Sequence, residues 1–229
     1  MPVKEPIMSV TLHRFRSGAR ANEATHAPLT HAERAAMIRA AATKLEELFD
    51  VLRIDHRNDH NTRDTPRRVA KMYVEDLMNG RFSEPPAITA FENVGGFAEL
   101  IMTGPIEVRS TCAHHLMPIY GEAFVGVLPQ PGGKIIGLSK YDRIVDHFSS
   151  RLQIQEELVQ QIGAFIMEKT APRGLAVRVN AVHMCKTHRG VRASHRSRMV
   201  TCAYFGETAA DPAFKAQFLQ ECIALEGRT

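Results

Sequence analysis

The run from Leu175 to Cys185 restricts this chain's fold more than any other segment. Leu175, Val177, Val179, Ala181, His183 and Cys185 alternate with Ala176, Arg178, Asn180, Val182 and Met184, and a period of two is that of a strand. One face of the strand is apolar and fit to lie under helices. The same face ends in an imidazole and a thiol. Side chains two apart on a strand project in parallel, about 6.6–6.8 Å apart along the chain. The spacing therefore predicts a strand through Cys185 that delivers His183 and Cys185 to one site.

The elements around it read as two strands, two helices and two strands. Residues 100–111 and 122–128 are expected to be extended. Ser139 is expected to cap a helix whose stripe is Tyr141, Ile144, Val145 and Phe148. A second helix is expected from about Gln153, with Ile154, Leu158, Ile162 and Phe165 inward. A last strand near Arg198–Phe205 and a helix over 211–225 complete the chain. Upstream, Thr30 and Glu33 form a capping-box pattern, followed by Met37, Ala41, Leu45, Leu48 and Leu52 at helical spacing. Pro66 fits the first turn of another helix, for which Gly80 is the expected stop. The expected organisation is an arm over 1–29, a helical region over 30–95 ending past Pro85-Pro86, and a catalytic domain over 96–229.

No apolar run reaches the ~18 residues of a membrane helix, and the N-terminus has no apolar core of a secretory signal. The expected location is the cytoplasm. Four cysteines spread over 229 residues do not form a disulfide framework, which leaves metal binding or burial as their uses. Cys202 and Cys222 read as small core residues, and His147, His188 and His195 as surface residues. The net charge of +4 is unevenly placed. Lys169 to Gly206 contains no acid but holds Lys169, Arg173, Arg178, Lys186, Arg189, Arg192, Arg196 and Arg198. Such a field favours a polyanion, either a nucleoside triphosphate or a nucleic acid; a solvated basic face accounts for it equally.

A second chemistry-bearing motif is Cys112-Ala113-His114-His115, just after the first strand. Cys112 and His115, three apart in a tight turn, can converge on one ion. With Cys185 they make a three-ligand zinc set that leaves a fourth position open, as in catalytic zinc sites. Plain burial of small thiols is the alternative that the residues leave open.

Several motifs in order give the chain a family resemblance. They are Thr65-Pro66-Arg67-Arg68-Val69-Ala70-Lys71-Met72-Tyr73, Cys112-Ala113-His114-His115, Ile136-Gly137-Leu138-Ser139-Lys140, Arg151-Leu152-Gln153-Ile154-Gln155-Glu156, His183-Met184-Cys185 and Arg189-Gly190-Val191. Together they resemble GTP cyclohydrolase I from about residue 30 to 225. The resemblance implies an α+β tunnelling fold, an antiparallel four-stranded sheet with two helices on one face, plus the N-terminal helical layer. It also implies a homodecamer of two pentamers with sites between subunits. Zinc would be held by Cys112, His115 and Cys185, with His114 and His183 as catalytic imidazoles. Glu156 would read guanine with Gln155 against the same ring. Leu138, Ser139, Lys140, Arg143, Arg189 and Arg68 would bind the rest of the substrate, chiefly the triphosphate.

The implied reaction opens the guanine imidazole ring of GTP and yields 7,8-dihydroneopterin triphosphate and formate. Ala113 departs from the Glu usual in the family, and the segment after Arg189-Gly190 is poorer in Ser and Thr than usual. These departures keep alive an alternative, a paralogue that stops at a formamide intermediate or takes another purine. A basic nucleic-acid-binding protein is a more distant alternative, and it leaves the zinc set and Gln155-Glu156 without a purpose.

Overall fold

The computed structural model describes residues 19–25 and 27–227, so residues 1–18 of the expected arm lie outside it. The chain divides into two compact units between Glu84 and Pro85.

In the first unit, α1 (His31–Val51) starts with the expected box. Thr30 Oγ1 accepts from Glu33 N at 3.2 Å, and Glu33 Oε2 accepts from Thr30 N at 2.9 Å. Met37, Ala41 and Leu45 are half-buried, while Leu48, Val51 and Leu52 stay exposed. Helix α2 (Thr65–Lys71) carries Pro66 in its first turn. Gly80 does not stop the helix as expected. The chain widens into a π-helical turn (Met72–Leu77), closed by Met78 N donating to Tyr73 O at 2.9 Å, and continues into α3 (Asn79–Phe82), where Gly80 is buried. A closing glycine acts through a left-handed φ, which Gly80 does not adopt. The segment before α1 is tied to α3: Thr25 N donates to Arg81 O at 2.9 Å and Leu29 N to Phe82 O at 3.0 Å.

The second unit is α+β. It runs β1 (Ala90–Glu92), β2 (Ile101–Cys112), β3 (Pro118–Leu128), β4 (Lys134–Ile136), α4 (Ser139–Ser149), β5 (Leu152–Gln153) and α5 (Gln155–Thr170). It continues with β6 (Gly174–His183), α6 (Met184–Thr187), β7 (Arg198–Gly206), a 3₁₀ turn (Glu207–Ala209) and α7 (Pro212–Glu226). The main sheet has the order β5-β2-β3-β6-β7. Its four long strands are antiparallel, and β5 adds two residues parallel to the end of β2. Strands β1 and β4 form a separate antiparallel pair. The sequence pattern gave no sign of β1, β4 or β5.

Leu175, Val177, Val179 and Ala181 pack with Tyr141, Ile144 and Val145 of α4 and Leu158, Ile162 and Ile166 of α5. On the opposite sheet face, Phe124 and Ala176 pack with Phe214, Phe218 and Cys222 of α7. Asp211 caps α7, accepting from Ala213 N and Phe214 N. Two expectations need correction. Ser139 is the first residue of α4 rather than its cap; Leu138 holds the cap position and makes no side-chain bond. Strand β6 stops at His183 rather than running through Cys185. Its ladder with β7 ends at Val182↔Arg198 and that with β3 at Ile119↔His183, and with no partner beyond, the backbone closes a helical turn through His188 N and Met184 O at 2.9 Å.

His147 is buried, contrary to the surface position expected of it. Its Nε2 accepts from Arg151 Nη2 at 2.7 Å. Burial first, and then the Arg151 charge, push its pKa from 6.5 down to about 4. Between those values the unfolded chain binds a proton that the folded chain refuses, so this contribution is complete above pH 6.5 and lost as pH falls. By pH 5 the loss is about 2 kcal/mol. Thermal melts from pH 7.5 to 5 are expected to show a shallower fall for His147→Gln than for the wild type; equal slopes would exclude His147 as the source.

Packing gives a second expectation. A Cβ on Gly121 would lie 2.1 Å from Asn180 O and 2.6 Å from Ala181 Cα. Both are backbone atoms of the paired strand, so β3 and β6 would have to part. Gly121→Ala is expected to cost about 1–3 kcal/mol, read as a lower denaturant midpoint.

Candidate active site

Strand β2 ends at Cys112, and the chain reverses at once. Cys112 N donates to Met117 O at 2.8 Å and Leu116 N to Cys112 O at 2.9 Å. Leu116 takes φ 54°, a left-handed conformation costly for a branched side chain. The short β5 holds this loop, since Gln153 O accepts from Ala113 N at 3.1 Å. Within the reversal, Cys112 is buried while His114 and His115 are exposed. His114 Nδ1 lies 3.9 Å from Cys112 Sγ, and the two imidazoles meet edge to face at 6.3 Å.

The turn after β6 supplies Cys185. One ligand atom from each of Cys112, His115 and Cys185 falls within 4.8 Å of the others, the one such group of three among the described residues. Cys185 joins this set from a helical turn rather than from the strand face. Burial, reinforced by the neighbouring Cys112 thiol, pushes the Cys185 thiol up. Two thiolates with one imidazole suit zinc. The donor set therefore fits a metal ion.

His183, at the end of β6, is half-buried, and burial lowers its pKa while the Glu156 carboxylate acts against that shift. Its Nε2 lies 2.7 Å from Gln155 Oε1. Gln155 is buried, and its Nε2 also reaches Val179 O, Met199 O and Thr201 Oγ1. Glu156 is exposed in the first turn of α5. Arg189 Nη1 is 3.0 Å from His115 Nε2. The loop bearing Arg189 is shaped by left-handed Gly190 and Arg192, by Ala193 N donating to Lys186 O at 3.1 Å and by Lys186 Nζ donating to Ser197 Oγ at 2.8 Å. His188 and His195 are exposed there, as expected.

The chain matches the GTP cyclohydrolase I family over residues 41–223. It is 40% identical over 178 residues to the GTP cyclohydrolase 1 of Shewanella denitrificans, covering 77% of this chain and 80% of that one. Against the GTP cyclohydrolase 1 of Shewanella oneidensis, identity is 39% over the same length, covering 77% and 81%. The chain belongs to the GTP cyclohydrolase I family. It is thereby a hydrolase of the GTP cyclohydrolase I type. Among solved structures, the apo archaeosine synthase QueF-Like aligns with 48% of this chain and 94% of its own at 16% identity, with a TM-score of 0.37.

The other residues expected to bind substrate stand on other elements. Ser139, Lys140 and exposed Leu138 and Arg143 sit at the start of α4. The other end of that helix adjoins Cys112, because Ser110 Oγ donates to Ser149 O at 2.7 Å. With 11 residues at about 1.5 Å each, α4 sets its start ~16 Å along the axis from that end. Arg68 is on α2 of the first unit, paired with Asp64 at 3.5 Å. Sequence reading missed the Gln155–His183 bond and the Arg189–His115 contact. Pairings 28 and 74 residues apart carry no local signal.

Metal binding is open to a direct test. The purified protein is expected to hold about one divalent ion per chain, and Cys185→Ser to lose it while keeping its circular dichroism. Elemental analysis showing full metal retention in that variant would remove Cys185 from the set.

Proposed function

We propose that the chain catalyses the hydrolysis of the guanine imidazole ring of GTP, consuming one water net and releasing formate and 7,8-dihydroneopterin triphosphate. The observation that carries this reading is the convergence of Cys112, His115 and Cys185 beside two further imidazoles in a member of this family. When bound there, zinc would supply Lewis acidity and bring a water's pKa toward neutrality.

The chain's own residues would do the rest. His114, close to the Cys112 sulfur, and His183, at the end of β6, would move protons at the purine ring and the ribose as bonds open. Glu156, an exposed carboxylate beside His183, would accept from guanine N1–H and the 2-amino group. Arg189 is near enough to His115 for its guanidinium to bind phosphate at the same site. Ser139 and Lys140 open α4, where the positive end of the helix dipole favours an anion, and Leu138, Arg143 and Arg68 would complete substrate binding. Gln155, assigned to the base by resemblance, has its amide engaged inside the fold.

The distance along α4 supports an active site assembled from more than one copy, in a decamer of two pentamers with the tunnelling fold. The exposed Leu48, Val51 and Leu52 on α1 are further surface for such assembly. A reducing compartment suits the thiol ligands, which supports the cytoplasm. No helix among the described residues is long and apolar enough to cross a membrane.

A second reading, ring opening that halts at the formamide, is favoured by Ala113. A small apolar side chain between Cys112 and His114 leaves no carboxylate there to tune the later proton transfers. The nucleic-acid reading loses ground. Arg173 pairs with Glu207 at 2.9 Å and Arg178 with Glu226, so the acid-free stretch borrows acids from later residues.

The zinc-loaded protein incubated with GTP, followed by mass analysis over time, is expected to give dihydroneopterin triphosphate and formate. Formamide accumulating without pterin would establish the second reading, and no conversion of GTP would exclude both. Glu156→Gln is expected to lower kcat/KM at least a hundredfold, since hydrogen bonds to a charged group contribute about 1.5–3 kcal/mol each. A change below threefold would leave Glu156 as a first-turn acid favoured by the helix dipole.

A further inference from the structure

The Gln155 side chain, only 1% exposed, joins three elements at the edge of the site. It leaves the first residue of α5, and its Nε2 lies 3.1 Å from Val179 O on β6, 3.0 Å from Met199 O on β7 and 3.1 Å from Thr201 Oγ1. On the other side its Oε1 lies 2.7 Å from His183 Nε2. Two of the three groups around the amide nitrogen are carbonyl oxygens, which only accept. Turning the amide over would set Oε1 against both of them and leave them without a donor in a buried place. Chemistry therefore dictates its orientation. With an acceptor held against His183 Nε2, that contact is a hydrogen bond only if Nε2 carries the hydrogen.

We propose that Gln155 is a positioning residue that holds His183 as its Nε2–H tautomer, leaving Nδ1 as the nitrogen with the free lone pair. This deepens the function proposed above, on which the catalytic consequence rests, while the tautomer itself stands on geometry alone. The amide fixes the ring as a carboxylate does behind other functional imidazoles, but without a negative charge. A carboxylate in its place would face Val179 O and Met199 O, with no proton to give them. The same bonds account for the division of labour within Gln155-Glu156. The buried amide serves the protein, and the exposed carboxylate is the one turned to a ligand. The support is rigid, because α5, β6 and β7 all carry atoms of the network.

The test is magic-angle-spinning NMR of the zinc-loaded protein with ring-¹⁵N histidine at about pH 8, where an ordinary imidazole is neutral. His183 is assigned by the signals lost in His183→Gln. The expected spectrum has the hydrogen on Nε2 and a bare Nδ1, and Gln155→Leu is expected to turn that single form into a mixture. With GTP, Gln155→Leu is expected to lower kcat about 10–100-fold, the range for groups that support a ligand or catalytic side chain. KM should stay within threefold and zinc content should be unchanged. A wild-type spectrum with the hydrogen on Nδ1 overturns the proposal, whether or not the variant folds. A tenfold rise in KM at constant kcat also overturns it, since Gln155 would then be reading the substrate. The wild-type spectrum needs no nucleotide, so failure of the GTP reaction leaves it readable.

Discussion

Strand β6 is hydrogen-bonded along its length to β3 on one side and to β7 on the other, and the rest of the second unit is arranged around that double pairing. Its helix-side residues, Leu175, Val177, Val179 and Ala181, are each fully buried under α4 and α5. The leucine and the two valines stabilise by roughly 1.5–3 kcal/mol each when buried, so the face both fixes the register and holds the helices down. A slip of one residue would turn Arg178 and Asn180 toward the helices and Val177 and Val179 away. The pairing therefore fixes where β6 ends, and its end is where the candidate site begins.

The candidate ligands then follow from how three strands finish. Strand β2 stops at Cys112 in a tight reversal; β5 grips that reversal through Gln153; β6 stops at His183 and turns back through Cys185. Each is a point where ladder pairing runs out and the backbone must satisfy itself locally. Left-handed Leu116 beside the Cys112 loop shows the local cost, which the neighbouring sheet sustains.

Charge is distributed with the same economy. Arg178 projects from the α7 side of β6, is nearly buried, lies over the Phe124 ring and pairs with Glu226, which also accepts from Asn180 Nδ2. The Glu226 carboxylate is held below its usual range by these donors in spite of its burial. That cation belongs to the packing of α7. The cations left near the candidate metal site are those of the loop after α6, above all Arg189, so one acid-free run of sequence divides into a structural part and a part facing that candidate site.

Much of this was legible in the chain. The capping box at Thr30, the proline opening α2, the period of two in β6, the stripe of α4 and the Cys-X-X-His turn are local patterns, written in residues one to four apart. Motif order named the family. What sequence could not give was anything decided by meetings across the fold. The end of β6 before Cys185 depends on where β3 and β7 cease to pair. The two-residue β5 has no pattern of its own and exists because β2 offers an edge. His147 sits on the helix side turned inward, so only the packed structure shows it beside Arg151. The orientation of Gln155 depends on carbonyls 24 and 44 residues away. Periodicity and caps are set by neighbouring backbone and side-chain sterics, which the sequence carries directly. Hydrogen-bond partners across the sheet are set by register and burial, which exist only once the core has formed.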